Sequence, residues 1–368
     1  MNEMNLTYVL ELLDPTRRKE TNLLKNISEV VENRKSIARR LQQGNKKLST
    51  SNFNENLPSC VVNQNIREVK SLYNNFKKSN SPKENISFKA NQPICYNNQN
   101  YKLDLENGFI EVPLWNGKTT RISFPIKFTP RYRELEYQLI FGAKKGKGSL
   151  FYKKGKWYFA VSITIEPVDR SGDKTMGIDI GIRQLAAASI MDKDRNEINR
   201  TFYSGNEAGF VRKKYRTVRR KLGKDKKLQA ISKLNNKEQR WMSDKNHKIS
   251  RSLVNLAVQE GVGTIVMEKL SGIRTKVKTT KKADRNIHAW SFYQLQQFIR
   301  YKANLAGIKV EYIDAKYTSQ TCSKCAQIKK SNRRGSFYTC DCGNNIHSDL
   351  NASRNIAMKF EPKLQQSA

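Results

Sequence analysis

The chain has 368 residues, and its 69 Lys and Arg outnumber 33 Asp and Glu for a net charge of +36. This excess indicates a polyanionic partner, and because the basic residues are spread over the whole length, nucleic acid fits better than a membrane surface. No stretch approaches the roughly 20 apolar residues of a membrane-spanning helix, and the N-terminus carries acids where a signal peptide carries cations. We therefore expect a cytoplasmic, nucleoid-associated protein whose six cysteines are metal ligands or thiols.

The N-terminal part is expected to combine a sheet with helices. Residues 5–13 are predicted to form a strand, and apolar residues then recur every three or four positions to about residue 48, which predicts helices. A further short helix is predicted at "IREVKSLYNNFKK". Alternating segments then predict an antiparallel sheet or small barrel: "YKLDLENGFIEVPLW", "TRISFPIKF", "ELEYQLIFG" and "GSLFYKKGKWYFAVSITIE". The first strand lacks neighbours of its own, so we expect it to join this sheet, with the helices as an insertion.

A second unit begins near residue 174. "KTMGIDIGIRQLAAASIM" predicts two adjacent strands, "RTFYS" predicts a third, and a basic helical region follows from about 207 to 261. The remaining predicted elements are a strand at "GTIVME", a helix at "SFYQLQQFIRYKANLAG", a strand at "IKVEYID" and a last helix at "DLNASRNIAMKF". This order is typical of an α/β domain with a mixed sheet.

Three acids in this unit are candidate metal ligands. Asp179 lies in the apolar strand "MGIDIGI", where an unpaired carboxylate costs several kcal/mol. Glu268 closes "GTIVME", and Asp349 precedes "LNASRNIA", where helix N-capping alone would explain it. Taken together, the three positions fit an RNase H-like fold, which brings them to one edge of its sheet. Oxygen ligands suit Mg²⁺, and two such ions can support phosphodiester hydrolysis.

Four cysteines form two close pairs. Cys322 and Cys325 are spaced C-x2-C, Cys340 and Cys342 are spaced C-x-C, and fourteen residues separate the pairs. This spacing predicts a four-thiolate Zn²⁺ ribbon. Because C-x-C is tighter than usual, His347 remains an alternative ligand in place of one sulfur. The loop between the pairs carries basic residues suited to phosphate contacts: Lys329, Lys330, Arg333 and Arg334.

Further basic runs are candidate nucleic-acid contacts. The run at 212–221, "RKKYRTVRRK", contains Arg212, Lys213, Lys214, Arg216, Arg219, Arg220 and Lys221 and is expected on a helix. The run at 274–285, "RTKVKTTKKADR", is expected in a loop. Phosphate contacts there would be independent of sequence and sensitive to salt, although a solvated face is the alternative for each run. In "FYKKGKWYF" the aromatic residues either stack bases or pack in the strand core.

Four segments resemble the TnpB (OrfB) proteins of transposons, relatives of the type V CRISPR effectors, in order and separation. They are "MGIDIGIRQLAAAS", "GTIVMEKLSGI", "WSFYQLQQFIRYKANLAGIKVEYIDAKYTSQTCSKC" and "YTCDCGNNIHSDLNASRNIA", and the similarity covers about residues 145 to 360. The resemblance implies a RuvC-like nuclease domain of RNase H-like fold at 174–317 and 346–368, with a zinc-ribbon module that contacts target nucleic acid at 318–345. It also implies a wedge-type β-barrel domain at 1–15 and 101–170, with a helical recognition insert at 16–100.

The resemblance further implies an RNA-guided, Mg²⁺-dependent DNA endonuclease that works as a monomeric ribonucleoprotein. Its partners would be a guide RNA made from the transposon end and double-stranded target DNA with an adjacent motif. Asp179, Glu268 and Asp349 take the three acidic positions, and the four cysteines take the zinc positions. The family often has Asp-Arg where this chain has His347 and Ser348. Two alternatives stay open, a guided DNA-binding protein that does not cut and a DNA-strand transferase.

Overall fold

A computed structural model describes residues 3–53, 56–79, 86–166, 170–234, 236–269 and 292–359. The chain divides into two compact units, one of residues 2–166 and one that begins at residue 167. In the described ranges no helix has the length and apolarity needed to cross a membrane.

The first unit contains seven strands and three α-helices in its described part. They are β1 (Met4–Glu11), α1 (Arg17–Gln42), α2 (Ser59–Lys78), β2 (Ile94–Tyr96), β3 (Lys102–Asp104), β4 (Phe109–Trp115), β5 (Thr119–Pro125), α3 (Pro130–Ile140), β6 (Lys144–Lys153) and β7 (Lys156–Ile165). One antiparallel sheet has the order β1-β7-β6-β2 and a second the order β3-β4-β5. A bridge between Leu12 and Ile126 links them. The expectation that the first strand joins later strands is confirmed, because β1 pairs with β7 over its whole length.

One sequence expectation for this unit was wrong, and a predicted helix is confirmed but starts earlier than expected. "ELEYQLIFG" was expected to be a strand, but most of it lies in α3, where Thr129 caps the helix and Pro130 occupies its first turn. Tyr132 and Leu135, three residues apart, are buried on one face of that helix. The second helix begins at Ser59, well before the predicted "IREVKSLYNNFKK", because its buried face already starts at Val61.

The second unit is built on a five-stranded mixed sheet. Its elements are β8 (Lys174–Asp179), β9 (Gln184–Met191), β10 (Glu197–Ser204), α4 (Asn206–Lys224), α5 (Leu228–Leu234), α6 (Lys237–Gln259), β11 (Val262–Glu268), α7 (Phe292–Leu305), β12 (Lys309–Ile313), β13 (Arg333–Arg334), β14 (Phe337–Thr339), β15 (Asn345–His347) and α8 (Ser348–Met358). The sheet order is β10-β9-β8-β11-β12. The first three of these strands are antiparallel to one another, whereas β8, β11 and β12 are parallel. The predicted α/β layout with a mixed sheet is confirmed.

Helices cover both faces of this sheet. Met176 and Ile178 of β8 pack in the core that contains residues of α6 and α7, and the intervening Gly177 faces α8. A Cβ atom on Gly177 would lie 2.1 Å from the carbonyl oxygen of Ser353, so only glycine allows α8 to approach this closely. The hydroxyl groups of Ser189 and Ser353 also share a 2.7 Å hydrogen bond. These contacts fix the helix that carries Asp349.

Residues 322–347, between β12 and α8, form a segment that we call the ribbon. It contains a small three-stranded antiparallel sheet of order β13-β14-β15. Side-chain amides of α8 bind the backbone of the residues at which the ribbon begins. The Nδ2 atom of Asn355 donates to the carbonyl oxygens of Thr318 at 2.8 Å and Thr321 at 2.7 Å. Asn351 donates to Thr321 and accepts from the backbone N–H of Ser323. The ribbon is therefore attached to the helix that follows it.

Candidate active site

Asp179 and Glu268 end two neighbouring parallel strands. In the register of β8 and β11, Ile178 lies opposite Met267, so each acid is the next residue at the same edge of the sheet. Asp349 is the second residue of α8, which packs over β8 and β9. The topology thus brings the first-strand acid, the later-strand acid and the helix acid to one region.

The other two acids influence the ionisation of Asp179. Burial raises the pKa of Asp179 to about 8, and the negative charges of Glu268 and Asp349 add to this increase. The guanidinium of Arg333 acts in the opposite direction. The ionisation of Asp179 therefore depends on both other acids, and its protonated form is favoured below a pH of about 8.

Glu268 is half-buried and has a fixed hydrogen-bond partner. Burial raises its pKa, while the hydroxyl of Thr318, which donates to its Oε1 atom, lowers it, as do the charges of Lys359 and Arg333. The backbone oxygen of Glu268 accepts a 2.8 Å hydrogen bond from Gln296 of α7. The side-chain and backbone contacts together hold this end of β11.

Asp349 is 9% exposed and pairs with Arg333, whose Nη2 atom lies 3.2 Å from its Oδ1 atom. The possibility that Asp349 is the N-cap residue was wrong. His347 is the N-cap of α8, and its Nδ1 atom accepts the backbone N–H of Asp349 at 3.2 Å. Because β15 runs directly into α8, its last residue keeps an extended conformation and occupies the cap position.

The four cysteines form the tightest group of possible metal ligands. Their sulfur atoms all lie within 4.8 Å of one another, with 3.7 Å between Cys322 and Cys342 and 3.6 Å between Cys325 and Cys340. Over the described ranges no other set of three or more His, Cys, Asp or Glu ligand atoms is this close, so the carboxylate oxygens of Asp179, Glu268 and Asp349 are more widely spread.

The chemistry of the cysteine group suits a metal. Burial raises the pKa of the Cys322 thiol. Hydrogen bonds from the backbone of Cys325 and Lys324 and from the Asn344 side chain have the larger, opposite effect and lower this pKa to about 6. The Cys322 thiolate is therefore accessible near neutral pH, whereas hydrogen bonds with the neighbouring thiols raise the pKa of Cys325 to about 12. His347, the alternative ligand, lies outside this group and caps α8 instead.

Comparisons with known proteins agree with these features. A family model described as the Cas12f1-like TNB domain matches residues 292–356, and one described as OrfB_IS605, probable transposase, matches residues 158–274. The TnpB-like protein MJ0751 of Methanocaldococcus jannaschii is 30% identical over 221 residues, which cover 58% of this chain and 78% of that protein. The chain belongs to the TnpB-like family.

Other relatives of this TnpB-like chain are larger. The CRISPR-associated endodeoxyribonuclease Cas12f1 of Sulfoacidibacillus thermotolerans is 36% identical over 224 residues, which cover 56% of this chain and 51% of that protein. The match thus spans about half the length of this curated relative. Among solved structures, Cas12f1 in a complex with sgRNA and target DNA aligns with a TM-score of 0.64 at 18% identity, over 95% of this chain and 84% of that one. The TnpB-like chain therefore has the Cas12f1 fold.

The basic residues predicted to contact nucleic acid lie in two regions of the TnpB-like chain, helix α4 and the ribbon. In α4, six of the seven predicted residues are exposed, whereas Arg212 is half-buried and burial lowers its pKa. Arg219 is paired with Glu238 at 2.6 Å. In the ribbon, Lys329 pairs with Asp341 at 3.2 Å and Arg334 is exposed beside Lys330. The predicted basic loop at 274–285 lies outside the described residues.

Sequence reasoning missed two contributions to the acid cluster. Arg333 was expected to contact phosphate, but its guanidinium pairs with Asp349. Thr318 was not singled out at all, although its hydroxyl binds Glu268. Neither contact has a local sequence signal, because each joins residues brought together only by the fold.

Proposed function

We propose that this chain is an RNA-guided DNA endonuclease that hydrolyses phosphodiester bonds at Asp179, Glu268 and Asp349. The observation that carries this proposal is the placement of two acids at the ends of adjacent parallel strands, with a third acid near enough to raise the pKa of the first. The sheet order, with three antiparallel strands followed by two parallel ones, is also that expected of a RuvC domain with an RNase H-like fold.

The donor set fits divalent magnesium. Carboxylate oxygens are the ligands that Mg²⁺ prefers, and the raised pKa of Asp179 reflects burial and, in addition, the negative charge of Glu268 and Asp349, which a cation would offset. When bound, a pair of Mg²⁺ ions lowers the pKa of an attacking water and stabilises the leaving oxygen. The three acids would hold the ions, and Asp349 would exchange its contact with Arg333 to do so. Arg333 would then be free to pair with a phosphate of the substrate.

The proposed partners are a guide RNA from the transposon end and double-stranded DNA with an adjacent motif. The similarity to Cas12f1 endodeoxyribonucleases, the net charge of +36 and the exposed cations of α4 support this assignment. We further propose that the protein acts as a monomeric ribonucleoprotein in the cytoplasm and that Cys322, Cys325, Cys340 and Cys342 hold a structural Zn²⁺. The unit of residues 2–166 would then be a wedge-type β domain with a helical recognition insert.

Cleavage and RNA recovery test the proposal. RNA that co-purifies with the chain is sequenced, and plasmids that contain the matching target are incubated with the complex and Mg²⁺. We expect Asp179→Asn to reduce cleavage by at least about a hundredfold and to leave DNA binding intact. Asp194→Asn, a change at an exposed acid in a turn, is the matched control and should cut normally.

Each competing function has its own result. If the wild-type complex binds its target with no Mg²⁺-dependent cleavage, the chain is a guided binding protein. A covalent protein–DNA adduct would indicate strand transfer, and cleavage by Asp179→Asn at the wild-type rate would remove the acid cluster from the mechanism.

A further inference from the structure

Four residues of the second unit form a continuous row beside the acid cluster. In the ribbon, Arg334 lies opposite Phe337 and Phe337 lies opposite His347, so the three side chains share one face of the small sheet. The His347 ring in turn contacts Phe202 of β10 edge to face, with 5.5 Å between the ring centroids. The row therefore runs from the ribbon to the outermost strand of the large sheet.

Folding leaves the two phenylalanine rings of this row accessible. Phe337 is 70% exposed and Phe202 is 39% exposed, and neither belongs to the hydrophobic cores of the second unit. Exposed aromatic rings side by side carry apolar area that a partner can cover. They are thus candidates for binding and not for packing.

The row is connected to the candidate active site through His347 and through the chain neighbour of Arg334. His347 accepts the backbone N–H of Asp349, and Arg333, the chain neighbour of Arg334, pairs with the carboxylate of the same residue. In the large sheet Phe202 lies opposite Ala187 and Ala187 lies opposite Asp179, so Phe202 and Asp179 share one face of the sheet, two strands apart. A strand whose phosphate reached Asp179 would therefore bring its neighbouring nucleotides toward Phe202.

We propose that Phe202, His347 and Phe337 form a stacking platform for unpaired bases of the nucleic-acid strand that enters the acid cluster. This inference rests on the proposed function, and it adds that the strand is held there through its bases. Every base has an aromatic face, so such a platform accepts any sequence. Bases inside a duplex are already stacked on one another, so the platform selects single-stranded segments.

Charge around the rings favours a polynucleotide over a protein. Arg334 flanks Phe337 in the ribbon, Arg200 lies two residues from Phe202 on the same outer face of β10, and Arg183 donates to the hydroxyl of Ser336 beside Phe337. These cations can bind phosphates while the rings bind bases. A second copy of the chain would bring its own net charge of +36 to this surface, which opposes association.

Binding measurements with two probes test the platform. The full chain, in buffer without Mg²⁺ and without chelator, is titrated with fluorescein-labelled oligothymidine and with an abasic strand of the same length, which has the same phosphates but no bases. We expect the double variant Phe202→Ala and Phe337→Ala to bind oligothymidine at least about tenfold more weakly and the abasic strand as well as wild type does. The matched control is Tyr293→Ala, which removes a ring that is also 70% exposed from α7 and should change neither affinity.

Two variants separate the ring of His347 from its capping role. His347→Asn keeps an N-cap acceptor but loses the ring, and we expect weaker oligothymidine binding. His347→Phe loses the acceptor but keeps a ring, and we expect binding close to wild type, with lower thermal stability. The opposite order would show that the capping role, and not stacking, governs binding.

Three results would overturn the platform: an equal loss of affinity for both probes, no loss for either, or a loss that coincides with dissociation of a dimer in analytical ultracentrifugation. The nuclease proposal fails separately, by absence of Mg²⁺-dependent cleavage in the wild type. If the wild type does not cut DNA but the double variant Phe202→Ala and Phe337→Ala loses base-dependent binding, the platform stands and the nuclease proposal fails.

Discussion

Arg333 in the ribbon donates to Asp349 at the start of α8, with 3.2 Å between Nη2 and Oδ1. Its charge also lowers the pKa values of Asp179 and Glu268, against the effect of burial. The ribbon thus supplies the cation that partly balances an acid cluster built by the sheet and the last helix. Changes in the ribbon should consequently alter the electrostatics of the cluster.

Replacing Arg333 with Gln should strengthen Mg²⁺ binding several-fold, because it removes a positive charge that competes with the ion for Asp349. In metal-free buffer the same change should lower the free energy of unfolding by about 1 kcal/mol, a small value because Arg333 is 37% exposed and solvent screens the pair. Titration calorimetry and urea unfolding measure the two effects. Lys330→Gln removes a nearby exposed cation and should show neither, and an unchanged Mg²⁺ affinity in Arg333→Gln would argue against this competition.

Gly177→Ala should lower the free energy of unfolding by about 1–3 kcal/mol, since the added methyl group collides with backbone atoms of α8. We also expect reduced cleavage, because the helix must shift and it carries Asp349. Gly209→Ala is the control, as a Cβ atom there meets nothing within 4 Å and should stabilise α4 by about 1 kcal/mol. Equal unfolding midpoints for wild type and Gly177→Ala would contradict the close approach of helix and strand.

The cysteine group should bind one zinc per chain, measured by elemental analysis of the purified protein. Cys322→Ser should lose the metal, whereas Cys60→Ser, in the other unit, should retain it. Because all four thiols must lose their protons to bind the metal, zinc should be released as the pH falls. Full zinc content in Cys322→Ser would show that the thiols are not the ligands.

Lys302 of α7 predicts a pH dependence of stability. It is 3% exposed, its Nζ atom lies 2.6 Å from both the carbonyl oxygen of His247 and the hydroxyl of Ser250, and burial with the charge of Arg251 lowers its pKa to about 8. Between that value and the ordinary pKa of 10.5, the unfolded chain binds a proton that the folded chain has released, so stability should rise with pH.

Lys302→Met lacks this ionisation. The free energy of unfolding of wild type relative to the variant should therefore increase by up to about 1.4 kcal/mol per pH unit above pH 8 and stay constant below it. Urea unfolding at several pH values gives both curves. Parallel curves above pH 8 would mean that the folded lysine keeps its proton.

Strands β8, β9 and β11 could be predicted because their apolar runs are continuous and end at clear turn residues. Asp179 and Glu268 were found for the same reason, since an acid at the end of an apolar strand is conspicuous. In contrast, α3 was mistaken for a strand, because its exposed Tyr137, Ile140 and Phe141 gave the segment the aromatic and apolar composition of a strand. The apolar pattern of a segment predicts its structure reliably when the buried face is apolar and the exposed face is polar. In α3 the exposed face also carries large apolar residues, so the pattern is misleading there.

Contacts of the candidate site between residues far apart in the sequence could not be predicted from the sequence. Thr318 precedes the ribbon by only a few residues, but its partner Glu268 is fifty positions earlier. Similarly, the capping role of His347 depends on the direct passage from β15 into α8, and imidazole is not among the side chains that usually cap helices. Tertiary geometry decides such pairings, so local propensity cannot supply them.

The ribbon enters and leaves the second unit at the same helix. Asn355 holds the carbonyl oxygens of Thr318 and Thr321 at its entrance, and His347 at its exit continues into Ser348. A segment with both anchor points on one support can be lengthened, shortened or transplanted while the strands beneath keep their hydrogen bonds. Residues 322–346 are accordingly an insert that protein engineers can replace while the five-stranded sheet is kept, provided that the contact of Arg333 with Asp349 is retained.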